Sequence, residues 1–389
     1  MKLSKTALGL IILAIILAVL AAALAAFPQL KYVRVLFENL AIFIGIYGIY
    51  VLSLNLEVGY LGLPQFGKVM FLIIGGIAVG GIVTKLMLWA YQKAIISSMG
   101  VNPLANINSY CTLYQYQVAS VVNAQFAQNP AVGLGFFVLG LVLSMALSAA
   151  LGVLFAYPAI KLREDYLGIL LLVSGEFLRV VTYYTTPVAC SVNGVVIPDP
   201  FSWTSSGEVR TVIYFAIVLA LLVATFFIFD AIENSPFGRS LRAIRDAETA
   251  AAVFGKDITS FRIKVLAISS AFGGLAGGLL AFYSDYTILG GFLPIFTFIG
   301  WTMLIIGGSG NNIGALVGVV VYQGVSTLLD IYKNALQAVL HADPTYLSYF
   351  IFGLVIVLIL MYRPQGIVPE RPVKTIDLKS VRRRLEKNP

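Results

Sequence analysis

Charge is what this sequence lacks most. Only 11% of its 389 residues are charged, whereas 59% are hydrophobic and the mean hydropathy is +0.91. Water-soluble domains carry about 25% charged residues, because a folded surface must face water. The composition therefore excludes disordered, collagen-like, coiled-coil and nucleic-acid-binding proteins. It indicates a membrane protein, in which the position of the positive charges matters more than the net charge of +8.

Histidine and cysteine are also scarce. The single histidine, His341, makes neither a metal site nor a hydrolytic triad, and two cysteines exclude a four-cysteine zinc site. Cys111 and Cys190 fall in two loops, 91–131 and 184–210, on the same predicted outer side. A disulfide between them is allowed there, and two unrelated cysteines are the alternative. We predict no catalytic and no metal-binding residue.

The chain also lacks a phosphate-binding loop. The motif G-x-x-x-x-G-K-[S/T] does not occur, because the Gly-Lys pairs at 67–68 and 255–256 are followed by Val69 and Asp257. The chain is therefore predicted to hydrolyse no nucleotide by that route and to hold no cofactor. An intramembrane enzyme is disfavoured, which leaves transport, channel or assembly roles.

Long apolar runs are abundant. A helix needs about 20 apolar residues to cross a hydrocarbon core about 30 Å thick. The sequence predicts about ten such helices, at 7–27, 35–56, 69–90, 132–157, 166–183, 211–229, 263–283, 292–307, 312–330 and 346–362. The Gly-rich stretch 307–312 shortens the eighth and ninth, so a re-entrant pair is the alternative there. The predicted fold is an all-α polytopic membrane protein with one transmembrane domain over 1–389.

The first apolar run has two interpretations. Residues 1–5 are basic and residues 21–26 are mostly small, as in a cleaved signal peptide. Its length of about 21 residues exceeds the roughly 7 to 15 of a signal's apolar region, which favours a membrane anchor.

Lys and Arg are unevenly distributed in this topology. With the N-terminus inside, the predicted cytoplasmic set is Lys2, Lys5, Lys68, Lys161, Arg163, Arg239, Arg242, Arg245, Lys256, Arg262, Lys264 and the basic tail 363–389. The predicted outer set is smaller, namely Lys31, Arg34, Lys85, Lys93, Arg179, Arg210 and Lys333. Because positive loops stay in the cytoplasm, the bias predicts that both termini are cytoplasmic. The tail is expected to lie against anionic membrane lipids.

Ionisable groups inside the predicted helices are few, since each costs about 2.5–3.5 kcal/mol on insertion scales. Glu176 and Arg179 stand one turn apart in the fifth helix and can pair. A structural ion pair and a place on a substrate path are both open for them.

The most distinctive polar segment is the loop 230–262. Its Ser235-Pro236 is typical of a helix start and Gly255 of a helix end. The residues that share one face between them are Leu241, Ile244, Ala247 and Ala251. The charged residues that lie largely elsewhere are Arg239, Arg242, Arg245 and Glu248. The pattern predicts a short amphipathic cytoplasmic helix that docks into a groove of another protein; binding to the membrane surface is the alternative.

Several segments together resemble bacterial and archaeal ABC importer permeases for branched-chain amino acids, of the LivM type. They are 54–62 (LNLEVGYLG), 162–169 (LREDYLGI) with 175–179 (GEFLR), 236–255 (PFGRSLRAIRDAETAAAVFG), 306–315 (IGGSGNNIGA) and 362–367 (YRPQGI). Their order and spacing cover about residues 38 to 368.

The resemblance implies an ABC importer permease fold in a prokaryotic cytoplasmic membrane. The implied partners are a second permease subunit of the LivH type, two cytoplasmic ATPases that hold ATP and Mg, and an extracellular solute-binding protein. The implied ATPase-coupling residues are Phe237, Gly238, Arg239, Arg242, Arg245, Glu248, Ala251 and Gly255, with the arginines contacting the ATPase. The substrate-path candidates are Asn55, Gly59, Tyr60, Gly62, Glu176 and Arg179. The Gly-rich hairpin comprises Gly307, Gly308, Gly310 and Gly314.

The chain departs from the family pattern in two places. After Gly62 it has LPQFGK at 63–68, where the family usually has a Gln-Ser-Leu-Gly-His type of stretch. The outer loop 91–131 is also longer than the family norm. It is interpreted as a solvated insertion, and a contact for the solute-binding protein is the alternative.

Other functions stay open at this point. Permeases for urea or short amides are close relatives, so the sequence alone does not separate these substrates. An ion-coupled secondary transporter would need paired carboxylates inside its helices, and these are scarce apart from Glu176. An inverted repeat of helices two to five and seven to ten is a further hypothesis.

Overall fold

The computed structural model describes residues 31–162, 164–204, 206–331, 337 and 344–370. The predicted helix 7–27, His341, Lys333 and the tail beyond residue 370 lie outside the described residues.

Helices make up most of the described chain. They are α1 (Lys31–Asn55), α2 (Val69–Ala90), α3 (Gln92–Met99), α4 (Gln115–Gln128), α5 (Pro130–Lys161), α6 (Glu164–Tyr184), α7 (Gly207–Asn234), α8 (Pro236–Asp246), α9 (Glu248–Val253), α10 (Ile258–Ser284), α11 (Ile295–Gly307), α12 (Asn312–Ile331) and α13 (Pro344–Tyr362). A π-helical turn, Leu56–Tyr60, extends α1, and another, Ile77–Val83, lies within α2. Helices dominate because lipid offers backbone polar groups no partner outside the segment.

Within the described residues, seven helices are long and apolar enough to cross a membrane. They are Phe37–Tyr60, Val69–Ala90, Pro130–Pro158, Tyr166–Tyr184, Gly207–Asn234, Ile258–Ser284 and Asn312–Ile331. The prediction of an all-α polytopic membrane protein is confirmed. The predicted eighth helix is shorter than expected, because the 13 residues of α11 reach only about 20 Å. It forms a hairpin with α12, and the inverted repeat stays a prediction.

α10 lies at the centre of the bundle and packs against α1, α2 and α5. Its contact with α5 is close because Gly274 faces Ser144 and Ser148, where a Cβ atom would collide with the α5 backbone. Ser144 Oγ also donates to the carbonyl oxygen of Gly75 in α2 at 3.0 Å. Small residues thus allow three helices to meet without a gap.

The ends of the bundle differ in their chemistry. One end, which we call the disulfide face, carries a bond between Cys111 and Cys190, as the sequence allowed. A two-stranded antiparallel pair lies there too, β1 (Val195–Val196) with β2 (Tyr286–Thr287). The opposite end, which we call the arginine face, carries α8 and α9.

The segment 91–131 is largely helical and partly buried instead of an extended loop, and its interpretation as an insertion stays a prediction. The segment folds into α3 and α4, separated by a helical turn, Ile107–Ser109, and a π-helical turn, Tyr110–Tyr114. Val118, Val122 and Phe126 of α4 are completely buried. Gln117 and Gln128 lie exposed on the other side of this helix, whereas Gln115 is buried and donates to the carbonyl oxygens of Cys111 and Gly194.

Candidate functional site

The site begins where α1 ends near the arginine face. The π-helical turn 56–60 is followed by an irregular stretch, and α2 begins only at Val69. Gly62 makes this reversal possible, because its φ of +78° is strained for any residue with a side chain. We call residues 56–68 the break. Irregular backbone at membrane depth is tolerated only where protein or a cavity surrounds it.

α11 supplies partners to the backbone of the break. Trp301 Nε1 donates to the carbonyl oxygen of Gln65 at 2.9 Å, and Thr297 Oγ1 accepts from the amide of Val69 at the same distance. The short helix α11 therefore braces the break instead of spanning the bundle on its own.

The break encloses an ion pair that the sequence analysis missed. Lys68 Nζ lies 3.1 Å from Glu57 Oε2, and both side chains are 0% exposed. Lys68 Nζ also donates to the carbonyl oxygen of Ser269 in α10 at 3.2 Å and to Ser269 Oγ. The assignment of Lys68 to the cytoplasmic loops was wrong, because the chain returns into the bundle after Gly62.

Asn55, a predicted substrate-path residue, joins a buried polar network at the end of α1. Its Nδ2 donates to Asn312 Oδ1 at 3.0 Å, and its Oδ1 accepts from the amide of Gly310 at 2.9 Å. Asn312 Nδ2 in turn donates to Glu233 Oε2 of α7 at 3.0 Å. The network ties α1, α7 and α12 together.

Arg242 of α8 completes this network from the arginine face. Its Nη2 lies 3.1 Å from Glu233 Oε1 and its Nε lies 3.2 Å from Glu370 Oε1. The guanidinium also sits 5.2 Å from the centre of the Tyr60 ring. Arg242 is thus held by contacts within its own chain, and its predicted contact with an ATPase stays a prediction.

Arg245 joins α8 directly to the break. Its Nη1 donates to the carbonyl oxygen of Gly59, its β and γ carbons pack on Gly62, and its Nη2 lies 3.0 Å from Glu370 Oε2. Burial opposes the charge of Arg245, but the carboxylates of Asp246 and Glu370 outweigh it and raise the pKa of the guanidinium. Most of the Arg245 side chain is thus held within its own chain.

The predicted amphipathic helix is two helices. It starts at Ser235, whose Oγ accepts from the amide of Gly238 at 3.2 Å, but Ala247 adopts an extended conformation and separates α8 from α9. Leu241, Ile244 and Ala251 are buried as predicted, whereas Ala247 is exposed. Gly255 ends the segment with a φ of +76°, as expected of a helix stop.

The other predicted coupling residues divide into two groups. Phe237 stacks on Phe261 with ring centres 5.0 Å apart, and Glu248 pairs with Arg262 at 3.1 Å, so both lean on α10. Gly238 packs on the end of α7, where a Cβ atom would collide with the carbonyl oxygens of Ile232 and Glu233. Arg239 is exposed, and so are two large apolar side chains, Val253 at 86% and Phe254 at 83%.

The Gly-rich hairpin holds the exit of α13 on the arginine face. The amide of Ile367 donates to the carbonyl oxygen of Ile306 at 3.0 Å, and that of Val368 donates to Gly307 at 2.9 Å. Gly308 and Gly310 have φ values of +114° and +74°. Gly314 packs against the backbone of Gly307, which brings α11 and α12 together.

Glu176 and Arg179 form the predicted pair, but away from this site. Arg179 Nε donates to Glu176 Oε2 at 2.8 Å, and Arg179 Nη1 donates to the carbonyl oxygen of Gly290 at 3.0 Å. The Glu176 side chain is 40% exposed although it lies near the middle of α6. The structure does not bring this pair together with Asn55, Gly59, Tyr60 or Gly62.

A metal centre finds no support in the ranges that the structure describes, where no group of three or more His, Cys, Asp or Glu side chains converges. The chemistry of the site is that of buried charge and hydrogen bonding around a broken helix.

Comparison with known proteins identifies the relatives of this chain. The profile of a family described as "Branched-chain amino acid transport system / permease component" matches residues 36–360. A probable branched-chain amino acid transport permease protein LivM of Methanocaldococcus jannaschii is 37% identical over 347 residues, which cover 88% of this chain and 96% of that protein.

Two bacterial proteins are more distant. The high-affinity branched-chain amino acid transport system permease proteins LivM of Salmonella typhimurium and Escherichia coli are 26% and 25% identical over 299 residues. Each alignment covers 71% of this chain and 67% of the relative. No solved structure matches the chain.

Proposed function

The chain belongs to the family of permease components of branched-chain amino acid transport systems, and we propose on that premise that it is a transmembrane subunit of an ATP-driven ABC importer for branched-chain amino acids. The alignment with the M. jannaschii permease, which covers nearly all of both chains, carries this proposal. The energy comes from ATP and Mg bound by two partner ATPases, since this chain has no phosphate-binding loop.

The proposed orientation places the arginine face in the cytoplasm of a prokaryotic cell and both termini with it. Two independent features support it. The loop 230–262 is rich in Lys and Arg, which stay inside. The Cys111–Cys190 disulfide lies at the other end, and disulfides persist in the oxidising environment outside. The solute-binding protein then docks on the disulfide face.

The ATPase is proposed to bind the exposed side of α8 and α9. Val253 and Phe254 are large apolar side chains at the tip of an otherwise polar loop, as expected of anchors that fill a pocket on a partner. Arg245 joins the same loop to Gly59. A movement of the ATPases would therefore be transmitted to the break through α8. Arg242 and Arg245 would not have to contact the ATPase themselves.

A second permease subunit is proposed to cover α6. Charged side chains near the middle of the bilayer almost always face protein or a water-filled cavity, yet Glu176 is 40% exposed in the single chain and its neighbour Phe177 is 68% exposed. A partner helix against this face would remove the pair from lipid.

Co-purification of the tagged chain from its native membrane tests the assembly. Mass spectrometry of the wild type is expected to find a second permease and ATPases. The variant V253D/F254D is expected to lose the ATPases and to keep the second permease, because only the exposed anchor changes.

The matched control is L113D/Y116D, which places the same two charges on exposed side chains of the disulfide face. It should retain the ATPases. Recovery of a wild-type chain without ATPases, or ATPases retained by V253D/F254D, would contradict the proposed assembly.

A further inference from the structure

The Glu57–Lys68 pair has no role in the contacts between α8 and the break, although it is the most deeply buried pair of opposite charges there. Its third member, Ser269, lies near the middle of the 27-residue helix α10. The pair is therefore well inside the bundle, and broken helices of transporters typically hold their substrates near the middle of the membrane.

The pair is poorly suited to a purely structural role. A buried ion pair loses so much hydration that an apolar pair of similar volume is often at least as stable. Here the cost is larger, because Gln65 lies beside the Glu57 carboxylate, yet Glu57 Oε1 and Gln65 Nε2 are buried without a well-formed hydrogen bond to any described residue. The polar groups around the two opposite charges are thus incompletely satisfied.

We propose that Glu57 and Lys68 bind the ammonium and the carboxylate of a zwitterionic amino acid, and that their ion pair is the substrate-free state of this site. The inference rests on the proposed function and deepens it, since it names the residues that recognise the substrate backbone. On binding, one ion pair is replaced by two. Lys68 turns from Glu57 to the substrate carboxylate, and Glu57 accepts from the substrate ammonium.

The remaining contacts fit this exchange. Ser269 continues to accept from Lys68, so the ammonium of Lys68 stays held while its third donor is released. Glu57 Oε1 and Gln65 Nε2 each gain the well-formed hydrogen bond that they lack. The Phe71 ring, whose centre lies 5.4 Å from Lys68 Nζ, supplies an apolar surface beside the charged group.

Charge balance defines the class of substrate. The site is neutral, so a zwitterion leaves every charge paired. A carboxylate without an amine would leave Glu57 unpaired, and an amine without a carboxylate would leave Lys68 unpaired. Urea and simple amides carry no charge to replace either partner, so the inference favours amino acids over them.

The break gives the pair a means of separation. Glu57 and Lys68 lie at its two ends, within a π-helical turn and just before α2, and Arg245 contacts it at Gly59. A shift of α8 can therefore change the distance between the two charges without unfolding a regular helix.

ATP-driven uptake of leucine by proteoliposomes that contain the complete complex tests the inference. The variant E57Q/K68M removes both charges and nearly preserves volume. We expect it to assemble and to hydrolyse ATP, while its leucine uptake falls at least about 100-fold, as for the loss of buried charged contacts to a ligand. The matched control is S270A, on the same helix, where the buried hydroxyl faces α5 instead of the pair; it should transport like the wild type.

Uptake by E57Q/K68M near the wild-type rate would overturn the inference and leave the proposed function intact. If the wild-type complex itself fails to take up leucine with ATP, the proposed function fails with it. If E57Q/K68M does not assemble, the variant E57D tests the inference instead. It keeps the negative charge but moves the carboxylate back by one methylene. We expect E57D to slow uptake at least about 10-fold through misplacement alone, and unchanged uptake would overturn the inference.

Discussion

Two ion pairs in the membrane-spanning part of this chain differ in their burial and in their separation along the chain. Glu176 and Arg179 lie three residues apart on one helix, with side chains 40% and 20% exposed. Glu57 and Lys68 lie eleven residues apart across a break, and both are 0% exposed. The first pair is visible in the sequence and marks a surface, whereas the second depends on the fold and marks an interior site.

The two pairs differ in how much of the fold must form before their charges can meet. A pair on one helical turn forms wherever the helix forms, so it says little about the path through the bundle. A pair across a break exists only if α1, α2 and α10 meet around it. Distance along the chain thus separates a pair that a single helix forms from a pair that only the folded bundle forms.

The largest effect is expected from K68M. It leaves the carboxylate of Glu57 buried and unpaired, which costs about 3–5 kcal/mol of folding free energy. Thermal unfolding of the purified chain in detergent should show a large fall in stability. The double variant E57Q/K68M should recover most of the loss, and equal stability of the two variants would mean that the charges do not face each other.

Removal of the disulfide is expected to destabilise the disulfide face. The bond joins residues separated by 79 positions, and loss of a native disulfide costs about 2–5 kcal/mol. C111S/C190S should expose α4 to proteolysis while the arginine face remains resistant. Uniform loss of resistance at both ends would contradict the separation of the two faces.

R245A should have an intermediate effect. Its guanidinium binds the carbonyl oxygen of Gly59 and the carboxylate of Glu370, and hydrogen bonds to charged groups contribute about 1.5–3 kcal/mol. The variant should still bind the ATPases, but the ratio of substrate molecules transported to ATP molecules hydrolysed should fall. K93A, at an exposed basic residue of α3 outside the proposed ATPase surface, is the control and should keep the wild-type ratio.

E176Q should barely change the stability of the isolated chain. Partly exposed pairs contribute about 0–1 kcal/mol, and Arg179 keeps its bond to Gly290. Co-purification should recover less of the second permease, because loss of the Glu176 charge breaks the ion pair that the proposed interface on α6 covers. An effect on folding as large as that of K68M would remove the distinction between the two pairs.

The smallest effect concerns pH at the disulfide face. Burial raises the pKa of Asp285 from 3.8 to about 6, although Arg210 opposes the shift. The folded state then binds this proton more tightly, so its stabilising contribution is present below about 3.8 and is lost as pH rises through about 6. The side chain is 41% exposed, so the change is small. D285N should flatten the pH dependence of thermal stability between these values.

Much of the fold could be predicted because lipid leaves helices as the main solution for an apolar run. The start at Ser235 and the end at Gly255 could also be predicted, because a helix cap and a helix stop depend on local sequence. The inward direction of Arg242 and Arg245 could not be predicted, since two of their partners, Gly59 and Glu370, come from distant parts of the chain, and only the fold brings them beside Glu233.

The buried pair was missed for a related reason. Lys68 follows a stretch that contains Gly and Pro and is therefore predicted to be a loop. The charged end of a lysine in a loop is expected to be exposed to water. Only the return of the chain at Gly62 places it inside. The departure from the family pattern at 63–68 was the signal in the sequence that could have directed attention to it.

The most direct test of the account is uptake of radiolabelled leucine and urea by proteoliposomes that contain this chain, its partner permease, the ATPases and the solute-binding protein. We expect leucine uptake that requires ATP hydrolysis, and no uptake of urea. Leucine uptake without ATP, or ATP-driven uptake of urea in its place, would contradict it.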